Sequence, residues 1–249
     1  MSFLNKLGIG IGLGTSREVL RPIPQAGRGR TAAPPVGVVG ATRAPEPRES
    51  TRLSNGLKEF LWNLDGLGRG ALLDLGPAWQ TTISFFIERG FRVFSEDILR
   101  EWKEFLVEEE ARLKDAATGS EMVDMTAAGR ATRFLDANLK YPRSSFDAVL
   151  LWDLLDYLEP SLAKQTIANL TEVLRPGGVV FAMFHSKKPE GFQRYRVADS
   201  TTLQVVSAAV LCPAQKVYQN REIQDLFTRF RTMKSFVGRD QLRETLFIK

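Results

Sequence analysis

Cysteine and histidine are almost missing: Cys212 and His185 are each the single residue of their kind in the 249-residue chain. That scarcity excludes a disulfide-stapled scaffold. With no Cys-x-x-Cys or His-x-x-x-His spacing, no metal site is expected either. A lone thiol suits a reducing compartment, so a cytoplasmic protein is expected. Long apolar runs are also lacking. The opening stretch MSFLNKLGIGIGLGTSR is too short to cross a bilayer and has no small-residue cleavage site, so neither a transmembrane segment nor a signal peptide is expected. Its glycines at 8, 10, 12 and 14 satisfy no Gly-x-Gly-x-x-Gly phase and follow no strand, which removes a dinucleotide loop there.

A charge excess is missing from most of the chain as well. The net charge is +5, but residues 1–55 carry eight basic and three acidic side chains, which leaves 26 of each sign in the remainder. A basic-partner argument therefore concerns the N-terminal stretch alone, and the rest is not expected to bind nucleic acid. Between Arg21 and Ser50 the chain is rich in Pro, Gly, Ala and Arg without apolar periodicity. Such a composition buries too little to offset the entropy of ordering, so residues 1–55 are expected to form a disordered basic tail.

From residue 56 to 249 the pattern alternates between helix and strand. Ser54 caps a helix with Leu57, Phe60, Leu61 and Leu64 on one face, and Gly66 ends it. ALLDLG (71–76) predicts a strand, followed by a helix with Ile83, Phe86 and Ile87 inward. FRVFSED (91–97), RFLDANL (133–139) and DAVLLW (147–152) predict further strands, the last apolar on successive residues as a strand buried on both faces must be. Leu99, Trp102 and Leu106 share one helical face, with Glu108, Glu109 and Glu110 outside. A helix over 161–174 leads through Pro176, Gly177 and Gly178 into the strand VVFAMF (179–184). A last helix from Asn220 precedes two closing strands joined at 238–241. Residues 186–219 form an insertion long enough for a cap with short strands of its own. The economical fold is a doubly wound α/β sandwich with a mostly parallel sheet and an antiparallel C-terminal strand.

In such sheets a ligand lies beyond the carboxyl ends of the strands. Those ends carry Asp74, Asp97, Asp136 and Asp153. Carboxylates avoid burial unless paired or bound, so this set suggests a polar ligand, although a strand-end Asp can also simply cap the next helix.

In these motifs the sequence resembles the class I S-adenosylmethionine-dependent methyltransferases, from about Ala71 to Lys249. LLDLGPA resembles the family's first glycine loop, VFSEDI its second strand, LDANL the segment near the adenine, SSFDAVLLWDLLDYL the fourth strand and following helix, and LRPGGVVFAMF the turn and fifth strand. The resemblance implies a Rossmann-like fold and S-adenosyl-L-methionine as cofactor. It implies Asp97, with Glu96 as the neighbouring alternative, on the ribose hydroxyls and Asp136 on the adenine amine. Gly76 would allow close approach of the first loop. Asp74, Asp153, Trp152 or Trp79 would surround the sulfonium. Tyr157 and His185 are the candidate catalytic side chains, His185 as a general base beside a small-molecule acceptor of unknown identity. Lys187, Lys188, Arg194 and Arg196 in the insertion offer positive charge to an anionic acceptor.

One departure divides the reading. The family's loop runs acid-x-Gly-x-Gly, whereas Gly76 is followed here by Pro77, Ala78 and Trp79. Pro77 has no amide hydrogen and Ala78 adds a methyl group where the backbone should pass close to the cofactor. Two functions stay open: a methyltransferase, or a catalytically silent relative of the fold that binds a nucleoside or a partner.

Overall fold

The computed structural model describes residues 49–115, 124, 126–238 and 240–249. The expectation of disorder for residues 1–48 lies outside the described residues. At its inner edge that expectation is corrected: Glu49–Leu53 is a strand, β1, followed directly by helix α1 (Asn55–Leu64). The Ser54 hydroxyl accepts from the Leu57 amide at 2.9 Å, the N-cap read from the sequence. Leu57, Phe60 and Leu64 are buried, whereas Leu61 is only partly so.

The elements that follow are β2 (Gly70–Asp74), α2 (Gln80–Ile87), β3 (Phe91–Ser95), α3 (Ile98–Asp115), α4 (Ala127–Asn138), β4 (Phe146–Trp152), a short 3-10 turn (Leu154–Tyr157), α5 (Pro160–Val173) and β5 (Leu174–His185). Then come β6 (Gln193–Val197), β7 (Thr202–Ser207), α6 (Asn220–Leu226), β8 (Thr232–Val237) and β9 (Leu242–Ile248). Six strands form one sheet in the order β3-β2-β4-β5-β9-β8. β3, β2, β4 and β5 are parallel, while β9 runs antiparallel to β5 and β8 to β9. The molecule is thus a mixed α/β sandwich with a mostly parallel centre and an antiparallel C-terminal edge. Apolar cores line both faces of this sheet: one under α3, α4, α5 and α6, the other under α1, α2 and a small sheet of order β1-β7-β6. The two strands of the 186–219 insertion, β6 and β7, therefore join β1 rather than standing alone.

The segment 133–139, expected as a strand, is the second half of helix α4. Thr126 caps it, accepting from the Gly129 amide at 3.1 Å, and Ala131, Phe134 and Leu135 bury one helical face. Spacing of 3.6 residues, visible only when the window begins at Ala127, wins over the short apolar run. Asp136 consequently lies on the exposed face of a helix instead of at a strand end. Smaller corrections follow from packing. Ile87 is 55 % exposed, and its inward place is taken by Thr82, whose hydroxyl accepts from the Val197 amide. Glu109 is not solvated with its neighbours but pairs with Arg130 and Arg133 of α4. The Pro-Gly-Gly turn falls within β5 as an irregularity: between the pairs Phe146↔Leu174 and Ala148↔Val179, β5 spends five residues where β4 spends two.

The chain crosses from β3 back over β2 to reach β4, so strand order reverses between β2 and β4. The crevice expected of such a reversal opens above the carboxyl ends of these two strands.

Candidate site at the carboxyl ends of the strands

Three of the four sequence-nominated carboxylates meet at this rim. Asp74 ends β2, Asp97 follows β3 and Asp153 follows β4. Asp136 is not among them. Asp74 and Asp97 are bound by their own chain. Asp74 is 1 % exposed, and its Oδ1 accepts both the Gly76 amide at 3.0 Å and the Trp152 indole N–H at 2.7 Å. Asp97 accepts from the Arg194 guanidinium at 2.9 and 3.2 Å through its two oxygens. It also makes a long, 3.4 Å contact with the Arg100 amide at the start of α3. Glu96 receives the Tyr141 hydroxyl.

Trp152 occupies the centre of the crevice because of its backbone. Its φ is +53°, in the left-handed region that an indole-bearing residue seldom enters, and β4 changes register between Leu150 and Trp152. The turn carries the ring over the first loop. A Cβ on Gly76 would lie 2.8 Å from the indole nitrogen, so the close approach this glycine allows is used by a side chain of the same protein. Tyr195 from β6 stacks on the other side of Trp152, with ring centroids 6.1 Å apart and planes 15° apart. Between Gly76, Trp152, Asp153, Arg194 and Tyr195 the remaining cavity is about 10 Å³. That is room for roughly one water, whereas small-molecule and cofactor sites occupy about 300–1,000 Å³. Among the described residues, the space left between these side chains does not take an adenosyl group. Trp79, the indole the sequence places nearest the first loop, is not the plug: it lies under the Arg196 guanidinium, 5.1 Å from the ring centroid.

Burial sets the charge state of this rim. Desolvation pushes Asp74 up to about 6, against the pull of its Trp152 and Gly76 hydrogen bonds, with Asp97 adding to the rise and Arg194 opposing it. Asp153 is likewise raised to about 7 by desolvation, although the nearby His185 and Arg194 pull the other way.

His185, at the end of β5, belongs to a second group. Asp156, wholly buried in the 3-10 turn, accepts both the His185 amide at 2.7 Å and ring Nδ1 at 2.9 Å through one oxygen. Ring Nε2 stands 3.8 Å from Asp153 Oδ2. Burial alone would lower the imidazole pKa, but the Asp156 hydrogen bond and the charges of Asp153 and Asp156 together outweigh it and raise it. Tyr157 packs edge-on to this ring, and its buried hydroxyl has no hydrogen-bond partner among the described residues. Tyr157 and His185, nominated separately, are thus brought together. Asp156 and Tyr195 were missed by sequence reasoning. Asp156 sits inside DLLDYL with no pattern to mark it, and Tyr195 lies on a strand whose partner is β7, 5 residues further on.

Solved structures similar to this chain include several S-adenosylmethionine-dependent methyltransferases. The 1,6-didemethyltoxoflavin-N1-methyltransferase of Burkholderia thailandensis, which holds 1,6-didemethyltoxoflavin and S-adenosylhomocysteine, is 16 % identical over 78 % of each chain, with a TM-score of 0.39. An S-adenosylmethionine-dependent methyltransferase of Mesorhizobium loti is 13 % identical over 77 % of this chain and 96 % of its own, TM-score 0.42. One from Methanosarcina mazei is 18 % identical over 73 % and 93 %, TM-score 0.38. These likenesses are at the level of the fold. No family model and no curated protein matches the sequence.

Proposed function

We propose that this chain is a non-catalytic protein on a methyltransferase-like fold, acting by binding rather than by methyl transfer. One observation carries the reading: the crevice where an adenosyl group would lie is filled by Trp152, Tyr195 and Arg194, leaving a cavity of about 10 Å³. Two of the acids that the family resemblance assigns to the cofactor are satisfied internally. Asp74 holds the indole, and Asp97 holds Arg194. In effect a guanidinium of the cap takes the place of the ribose hydroxyls that the resemblance assigns to Asp97. Pro77 and Ala78 in the first loop point the same way, since neither suits close passage of the cofactor.

A second reading is favoured by the cap contact itself. Arg194 reaches Asp97 from β6, and both side chains keep some solvent exposure, 11 % and 19 %. If the hairpin β6–β7 withdrew and Trp152 turned out, the acids at the ends of β2 and β3 would be free for S-adenosylmethionine, and the chain would be a methyltransferase for a small acceptor. Calorimetry with S-adenosylhomocysteine and S-adenosylmethionine separates the two. The non-catalytic reading expects no heat of binding for the full chain with either nucleoside. Stoichiometric micromolar binding that Asp97→Ala abolishes overturns it in favour of the second.

A further inference from the structure

Beside the closed crevice, and separated from it by Tyr195, lies an open cavity of about 590 Å³ between β1, the end of β5, the loop that follows it and the β8–β9 turn. Its volume is that of an ordinary small-molecule site. The four cations nominated in the insertion divide sharply around it. Arg194 is turned into the crevice on Asp97, and Arg196 is held by Glu49 and Gln204. Lys187 and Lys188 stand on the rim of the cavity and make no ion pair among the described residues. Arg52, also in the wall, is already committed to Asp240 at 2.8 Å and Glu244 at 3.0 Å. Of the two acids in the lining, Asp240 is held by Arg52, and Glu190 makes no ion pair among the described residues.

The floor is His185, 14 % exposed, with Asp153 Oδ2 and the Tyr157 hydroxyl, neither of them hydrogen-bonded among the described residues, buried behind it. The remaining wall is mixed: Tyr195, Val205 and Leu242 form an apolar strip beside the polar Ser50, Thr51, Gln193 and Gln241. Such a site has donors of positive charge at its mouth, a polar floor and a flat aromatic side. We propose that this cavity binds a small organic anion, with its carboxylate or phosphate on Lys187 and Lys188 and its apolar body against Tyr195 and Val205. The inference does not depend on whether the neighbouring crevice takes a nucleoside.

Because His185 is the only histidine in the chain, its ring resonances report on this cavity without assignment. The test titrates the full chain by NMR with benzoate, phenyl phosphate and the neutral benzamide, following the His185 Cε1–H signal. Saturable shifts are expected with benzoate or phenyl phosphate, whichever is tighter identifying the anionic group, and benzamide is expected to bind at least tenfold more weakly. The exposed double variant Lys187→Ala, Lys188→Ala is expected to weaken anion binding about tenfold while leaving the amide spectrum folded. The proposal is overturned if no anion saturates by about 10 mM, if benzamide binds equally well, or if the double variant binds like the parent. Because the readout sits at His185, its failure is distinct from any heat or silence recorded with S-adenosylhomocysteine.

Discussion

At the residue scale, the crevice is decided by one carboxylate and one glycine. Asp74 is fully buried with its folded pKa raised to about 6 from an ordinary 3.8. The native state therefore keeps a proton that the unfolded chain gives up. The stability associated with the protonated carboxyl is present below the unfolded value and is lost as pH rises from about 4 through about 6, roughly 3 kcal/mol for this group. Asp74→Asn keeps an oxygen for Gly76 and Trp152 but carries no charge. It is expected to exceed the parent in thermal stability at pH 8 and to lose that advantage by pH 4, which paired melting curves at the two values would test. A gain that does not vary with pH would contradict the assigned burial cost. Gly76→Ala works in the opposite direction: its methyl would lie 2.8 Å from the Trp152 nitrogen and displace the indole from Asp74. Denaturant unfolding of the ligand-free protein should then show a loss of about 1–3 kcal/mol. A glycine kept only for a cofactor would show no such loss without it.

At the scale of elements, helix starts are legible where a side chain does the capping locally. Ser54 precedes a run of apolar residues at helical spacing, and α1 begins at the next residue. Ser54→Ala should destabilise the protein by about 1 kcal/mol, measurable as a lower denaturant midpoint with unchanged slope. The error at 133–139 has the same origin seen from the other side. RFLDANL contains a short apolar run that a strand and a helix share, and only the cap at Thr126 and the apolar face through Ala131, Phe134 and Leu135 separate them. That choice also moved Asp136 from a strand end to an exposed helix face. The strand β1 was illegible for a different reason. ESTRL has no apolar face, and its strand character comes from pairing with β7, more than 140 residues away.

At the scale of the whole molecule, β1 ties the small sheet to the main one. Arg52 leaves β1 to reach Glu244 on β9, a side chain 3 % exposed, whose other oxygen accepts the Gly56 amide at 2.6 Å. A chain beginning at residue 55 loses the strand, the cap and the cation together, and leaves the buried Glu244 with the Gly56 amide but no positive charge. Compared with a chain beginning at residue 45, its melting temperature is expected to fall by about 10 °C, because a buried charge stripped of its partner costs about 3–5 kcal/mol. Equal melting temperatures would show that β1 contributes nothing to the fold.

The local sequence determined the alternation of helices and strands, the buried parallel strands, the closing antiparallel pair and the acids at three strand ends, because each rests on periodicity or capping within about ten residues. Tertiary structure decided what those acids hold. Trp152 reaches Asp74 across 78 positions, and Arg194 reaches Asp97 across 97. No local pattern encodes such distances. A carboxylate awaiting a ligand and one already satisfied by its own chain have the same spelling, and only packing distinguishes them.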